Sequence, residues 1–321
     1  MTKAEAALQQ PDRFRSGSRR KDSFLTFVWK HRPLYIMLIP CLVYFLAFRY
    51  VPLLGSVIAF KDYNIFEGFL QSEWVGLKWF EQLFTYPQFY RLMKNTLIIS
   101  AYSIVFAFPA PIILACLLNE LRLMAFKRTV QTVIYLPHFL SWTIVYGLSY
   151  MMFSTQSGMF NQFLQELGGK AVNLLQAPEY FRSLVVGAGI WKEMGWSTII
   201  FLAGLAGISP SLYEAAKIDG AGRWKQFLYI TMPGLLPTIT ILLLLKIGNV
   251  MDVGFEQIYV FLSPITFSVG DVLDTYSYRQ GIISGQFSLT TAIGLFKSFI
   301  GFALLVFANR VSRSTTGESL Y

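Results

Sequence analysis

Six long apolar runs separated by polar stretches set the plan of this 321-residue chain. They cover roughly residues 34–51, 93–118, 129–153, 183–208, 233–250 and 289–309. A helix needs about 20 apolar residues to cross a hydrocarbon core, so each run is read as one membrane span. Prolines punctuate the first three: Pro40, then Pro109 and Pro111, then Pro137. Each is expected to bend or interrupt its helix, which a bundle tolerates when neighbours satisfy the freed carbonyls. The fourth run carries Trp191-Lys192-Glu193 and Trp196, followed by small residues at 203–207 that suit close helix packing. Residues 61–91, 154–182 and 251–288 are read as loops on one face, and 119–128 and 209–231 as loops on the other. The expectation is an all-α polytopic membrane protein with six transmembrane helices. It divides into a basic tail over 1–32, a six-helix domain over 33–310 and a short tail over 311–321.

One polar stretch stands apart. Residues 209–237 read SPSLYEAAKIDGAGRWKQFLYITMPGLLP and predict a helix, a tight turn and a second helix. Either Ser209 caps the first helix with Pro210 at its first position, or Ser211 and Glu214 form a capping box. Asp219-Gly220-Ala221-Gly222 stops it, because glycine adopts helix-ending conformations cheaply. Trp224, Phe227 and Leu228 resume at helical spacing, and Pro233 and Pro237 mark entry into the next apolar run. A bent helix pair at a membrane face gives another protein a knob to grip.

Composition agrees with the pattern. The chain is 54% hydrophobic and only 14% charged, with a mean hydropathy of +0.49. Soluble domains run nearer a quarter charged. A net charge of +9 points to nucleic acid in a soluble chain, but here the positive-inside effect explains it. Lys and Arg number 16 in the N-terminal tail, the 119–128 and 209–231 loops and the C-terminus, against six in the other three loops. Both termini and the 209–231 loop are therefore expected in the cytoplasm. The N-terminal tail lacks the short apolar core of a cleavable signal. Cys41 and Cys116 fall in apolar runs, so neither a disulfide nor a metal site is expected. His31 and His138 are isolated and read as packing or interfacial residues.

No sequence cradles a nucleotide. Lys297-Ser298 lacks the preceding glycines of a P-loop, and the run from Gly187 to Lys192 fails a dinucleotide fingerprint at its last position. No nucleophile–base pair stands out, so the chain reads as a non-enzyme that borrows its energy. Intramembrane polar groups are costly and make default functional candidates. Here those are Trp191, Lys192, Glu193 and Trp196 in the fourth run, Asn249, Asp252, Glu256 and Gln257 where the fifth ends, and Tyr276, Tyr278 and Arg279 beyond. Aromatic rings beside amides and carboxylates suit sugars, and a lysine or arginine suits a uronate. Taken singly, each is as readily an interface anchor, a loop cap or a helix–helix contact.

A family resemblance gathers these residues. Glu214-Ala215-Ala216, Asp219-Gly220-Ala221, Phe227, Ile230 and Pro233 resemble the EAA loop of ABC importer permeases, with Met232 where leucine is more usual. Asn249 to Ile258 and Asp271 to Tyr276 are similar to the polysaccharide branch of sugar importers, of the rhamnogalacturonan and alginate kind. So are Gly285-Gln286-Phe287-Ser288 and Gly294 to Ser298. Val75-Gly76-Leu77-Lys78-Trp79-Phe80 resembles a VGLxNF stretch of sugar importers, with Trp79 in place of the asparagine. The resemblance implies a type I permease fold in a bacterial cell membrane, one half of an oligosaccharide pathway completed by a second permease. An ATPase dimer would dock on Glu214, Ala215, Ala216, Asp219, Gly220, Ala221, Phe227 and Pro233, and an extracytoplasmic solute-binding protein would deliver the cargo. ATP and magnesium belong to the ATPase, no cofactor to this chain, and nucleic acid is not a partner. Two alternatives stand beside it: a permease for a peptide, amino acid or oxyanion, and an ion-coupled secondary transporter. The latter usually carries internal repeats with paired broken helices, and none is visible here.

Overall fold

The computed structural model describes residues 29–315, 317, 319 and 320. The basic tail expected over 1–32 lies outside the described residues as far as 28. Two compact units follow, one ending at Gly55 and one running from Ser56. The first contains helix α1 (Arg32–Phe45), which carries Pro40 in its interior and continues through a π-helical turn at Leu46–Tyr50 into Val51–Leu54.

The second unit holds the remaining principal helices: α2 (Phe89–Tyr102), α3 (Pro109–Glu120), α4 (Met124–Tyr135), α5 (Trp142–Phe153) and α6 (Pro178–Ala206). After them come α7 (Pro210–Ile218), α8 (Arg223–Gln226), α9 (Met232–Gly248), α10 (Phe255–Phe261), α11 (Leu273–Tyr278) and α12 (Phe287–Thr315). Two short antiparallel strands, β1 (Lys61–Asp62) and β2 (Glu73–Trp74), pair ahead of α2. Nearby, the Trp79 indole donates to the Lys61 carbonyl at 2.8 Å, the role found for the residue that replaces the expected asparagine.

Among the described residues, four helices are long and apolar enough to cross a membrane: Arg32–Phe60, Phe89–Glu120, Arg223–Gly248 and Phe287–Thr315. A fifth appears when Pro178–Ala206 and Pro210–Ile218, bent by 65°, are taken together. The run at 129–153, expected as one span, is two helices of 12 residues each, α4 and α5, around a 3-10 turn at Leu136–Phe139. Pro137 brings no N–H to the ladder, and Ser141 then caps α5 by accepting the Ile144 N–H at 3.3 Å. Pro109 has a different outcome. A π-helical turn at Ser103–Ala107 precedes it, with Phe108 N–H bonded to the Ser103 carbonyl at 2.9 Å, and the helix runs through. The last helix extends to Thr315, past the boundary expected at 310.

The segment at 251–288, expected as an outer loop, is folded into short helices and contributes to the core. Ile258, Phe261 and Val272 join Ile99, Val145, Phe181, Val185 and Val186 in one buried cluster. Met251, Leu273 and Tyr276 join Leu83, Leu92, Leu289 and Ile293 in a second. Where the alternative is water, burying such a side chain is worth about 1.5–3 kcal/mol. A third cluster, Ala115, Phe201, Leu205 and Leu235, ties α3, α6 and α9. Two crossings depend on a missing side chain: a Cβ on Gly195 of α6 would meet the Ile134 carbonyl oxygen at 1.9 Å, and one on Gly301 of α12 the Gly248 oxygen at 2.4 Å.

Candidate functional site

The fifth apolar run ends in Lys246-Ile247-Gly248-Asn249, and this end forms one wall of the main cavity. The Asn249 amide donates back to the Leu245 carbonyl at 2.9 Å and finishes the helix. Gly254, at φ +82°, then turns the chain into α10, with its N–H on Asp252 Oδ1 at 3.3 Å. The cavity, about 570 Å³, lies between this end, the junction of α2 and α3 around the π-helical turn, and the middle of α6. Its polar lining is Ser100, Ser103, Glu193, Ser197, Lys246, Asn249, Asp252 and Gln257, set among Ile104, Phe108, Ile200 and Phe201. That volume and mixture fall in the range of small-molecule sites.

Of the expected pathway residues, Glu193, Asn249, Asp252 and Gln257 line this cavity. Trp191, Trp196, Glu256 and Tyr278 are not among its lining residues. Trp196 stacks on His138, ring centroids 4.5 Å apart. Trp191 and Glu256 are exposed, and Tyr278 packs against Phe255 and Tyr259 at about 5 Å. Lys246, Ser100, Ser103 and Ser197 were not singled out by sequence. A lysine closing the apolar run 241–247 was the available signal for the first. Gln257 donates to the Val185 carbonyl at 2.7 Å, and a Cβ at Gly189 would meet its amide nitrogen at 2.7 Å.

Behind the wall, Glu193 is held from two sides. Lys192 Nζ donates to one carboxylate oxygen and His138 Nδ1 meets the other, both at 2.7 Å. Lys192 also donates to the His138 carbonyl at 2.9 Å and lies over the Trp142 ring. A buried ammonium needs such partners. A second network pins the 251–288 segment. Arg279 grips Asp271, Thr275 Oγ1 donates to the same carboxylate, and Arg182 donates to Asn95 Oδ1 at 2.8 Å. Beside it, burial and the neighbouring Tyr86 push the Tyr276 hydroxyl up to about 12.

The 209–237 stretch folds as helix, turn and helix. Ser209 is extended, Pro210 opens α7, and Ser209 Oγ lies 2.8 Å from Ser211 Oγ, so the start uses the proline and not the capping box. Gly220 takes φ +75°, Ala221 N–H bonds to the Ala216 carbonyl at 2.8 Å, and α8 follows. Tyr213 OH and Thr231 Oγ1, 3.0 Å apart, tie the two limbs. Glu214, Ala215, Asp219, Gly220 and Pro233 are exposed, while Ala216, Ala221, Phe227 and Ile230 are half-buried. Ile218, Trp224 and Tyr229 present 86%, 70% and 77% of their surfaces and form an exposed apolar rim.

Comparison with known proteins gives consistent matches. A family model described as a binding-protein-dependent transport system inner membrane component matches residues 107–317. A polygalacturonan/rhamnogalacturonan transport system permease protein of Bacillus subtilis strain 168 is 45% identical over all of both chains. An arabinooligosaccharides transport system permease protein of the same strain is 30% identical over 88% of this chain and 90% of its own. Among solved structures, a chain of a bacterial alginate ABC transporter, crystallised with an alginate pentasaccharide-bound periplasmic protein, superposes with a TM-score of 0.84. It is 38% identical, and the match covers 92% of this chain and 99% of that one.

Proposed function

The chain belongs to the family of binding-protein-dependent transport system inner membrane components, and from that premise we propose that it is a permease subunit of an ATP-driven importer for oligosaccharides, uronate-containing ones among them. The observation that carries this reading is the 45% identity, end to end, to a permease for polygalacturonan and rhamnogalacturonan. The 38–39% identity to chains of importers for alginate, an acidic polysaccharide, supports the same cargo class. A neutral oligosaccharide is the second reading, favoured by the 30% identity to the arabinooligosaccharide permease.

The geometry suits such a task. Serine hydroxyls and amides line the cavity beside aromatic and aliphatic side chains, matching the hydroxyls and C–H faces of a sugar. The exposed α7–turn–α8 handle offers its apolar rim to an ATPase in the cytoplasm, and the distribution of Lys and Arg supports that orientation and cytoplasmic termini. A second permease completes the pathway, and an extracytoplasmic binding protein delivers the sugar. Closure of the ATPase pair on ATP draws the handles together and turns the cavity outward, and hydrolysis returns it inward. This is a rigid-body switch biased by nucleotide.

The test is uptake of labelled oligogalacturonate by vesicles containing the whole importer and its binding protein. Uptake that requires ATP and persists with an ionophore is expected. Uptake driven by an ion gradient without ATP, or no uptake of any oligosaccharide, overturns the reading.

A further inference from the structure

The charges around the cavity are unequally committed. Glu193 is paired with Lys192, and His138 Nδ1 lies at hydrogen-bond distance from its other oxygen. The arginines and lysine of the neighbouring segment have partners: Arg182 holds Asn95, Arg279 holds Asp271, and Lys297 holds Asp274. Lys246 differs. It is the one cation lining the cavity among the described residues, the residue is exposed, and it makes no ion pair with any described residue. Asp252 lines the same wall and makes no ion pair with the ammonium. A lysine near a helix end ordinarily snorkels to the interface, and this one faces the cavity instead.

We propose that Lys246 recognises the carboxylate of an acidic sugar in the cavity, and that Asp252, on the same wall, competes with that carboxylate for the ammonium. The proposal rests on the oligosaccharide reading above and deepens it to a named contact. An intramembrane cation without a fixed partner is costly and is retained where an anion regularly visits. A uronate carboxylate beside Lys246 forms a charge-assisted hydrogen bond. The amide oxygens of Asn249 and Gln257, whose nitrogens donate to the Leu245 and Val185 carbonyls, are left on the cavity lining to accept from hydroxyls. The same wall accepts a neutral sugar through those amides, but with no gain from Lys246, so the lysine sets preference and not mere entry.

The experiment uses the purified whole importer and equilibrium binding of labelled digalacturonate and of its carboxyl-reduced, neutral counterpart. Wild type is expected to prefer the acid. In Lys246→Gln, at equal membrane abundance, acid binding weakens about ten- to a hundredfold, the neutral sugar is unaffected within severalfold, and the preference disappears. Lys246→Arg keeps the preference. Should Lys246→Gln not assemble, Asp252→Asn serves: it frees the ammonium and is expected to tighten acid binding severalfold. A retained preference in Lys246→Gln, or no tightening in Asp252→Asn, overturns the assignment while leaving the cargo reading intact. A wild-type importer that takes up no oligosaccharide overturns both.

Discussion

Arg279 closes on Asp271 with two guanidinium nitrogens, at 2.9 and 2.6 Å, where Asp271 is only 2% exposed. The pair spans α11, tying the stretch ahead of it to the turn that follows, while Asn95 of α2 donates to the Asp271 carbonyl at 2.9 Å. Asp271→Asn or Arg279→Gln leaves a buried partner uncompensated, a loss of about 3–5 kcal/mol. Both changes together are expected to cost less than the sum of the two. Thermal unfolding of the purified variants checks this, and simple additivity would show that the pair does not act as a unit.

Gly195→Ala should fail more severely than its one added methyl suggests. The new Cβ meets a backbone oxygen of α4, which cannot rotate away, so α6 and α4 must part. Overpacking of this kind costs about 1–3 kcal/mol. Gly187→Ala and Gly294→Ala, with nothing within 4 Å of the new atom, serve as controls and are expected to be neutral or slightly stabilising. A lower midpoint for the first and unchanged midpoints for the other two is the expected pattern.

The handle should fail without unfolding. Gly220→Pro cannot adopt φ +75° and removes the N–H that bonds to Lys217, and Glu214→Lys reverses the charge on the exposed face of α7. Either variant is expected to abolish uptake at unchanged membrane abundance. Trp224→Ala is expected to weaken copurification of the ATPase about tenfold, as loss of an apolar anchor does. Normal uptake in Gly220→Pro would remove the turn from the coupling path.

Sidedness has its own check. Ala215→Cys, in a background where Cys41 and Cys116 are serine, is expected to react with an impermeant thiol reagent only after the cytoplasmic face is opened. Labelling in intact cells would reverse the topology.

The handle was legible from sequence because its punctuation is chemical: Pro210 starts a helix and Gly220 ends it whatever surrounds them. Ends of apolar runs were legible for the same reason. The fate of Pro137 and Pro109 was not. Each removes one N–H, and whether the helix then breaks, as at Leu136–Phe139, or widens, as at Ser103–Ala107, is decided by neighbouring helices. The 251–288 segment misled because its polar residues satisfy one another, Asp271 with Arg279 and Thr275. A reading by hydropathy takes such residues for solvent-facing ones. In the cavity, amides at a helix end signalled Asn249 and Gln257, whereas the tryptophans drew attention for a role that stacking on His138 fills for Trp196.

The π-helical turn at Phe227–Thr231 lies between the handle and the α9 span. A widened turn accommodates one residue more than a regular one, and each residue of an α-helix is worth about 100° of rotation. Removing a single residue there should restore ordinary winding and leave both limbs intact. The knob would then keep its compass bearing, because the widened turn takes up the extra residue without passing its rotation on. Removing a residue from the regular helix beyond it should instead swing the knob by about 100°: that chain should insert, fold and bind sugar, yet present the wrong side to its motor, an engine running with the clutch misaligned.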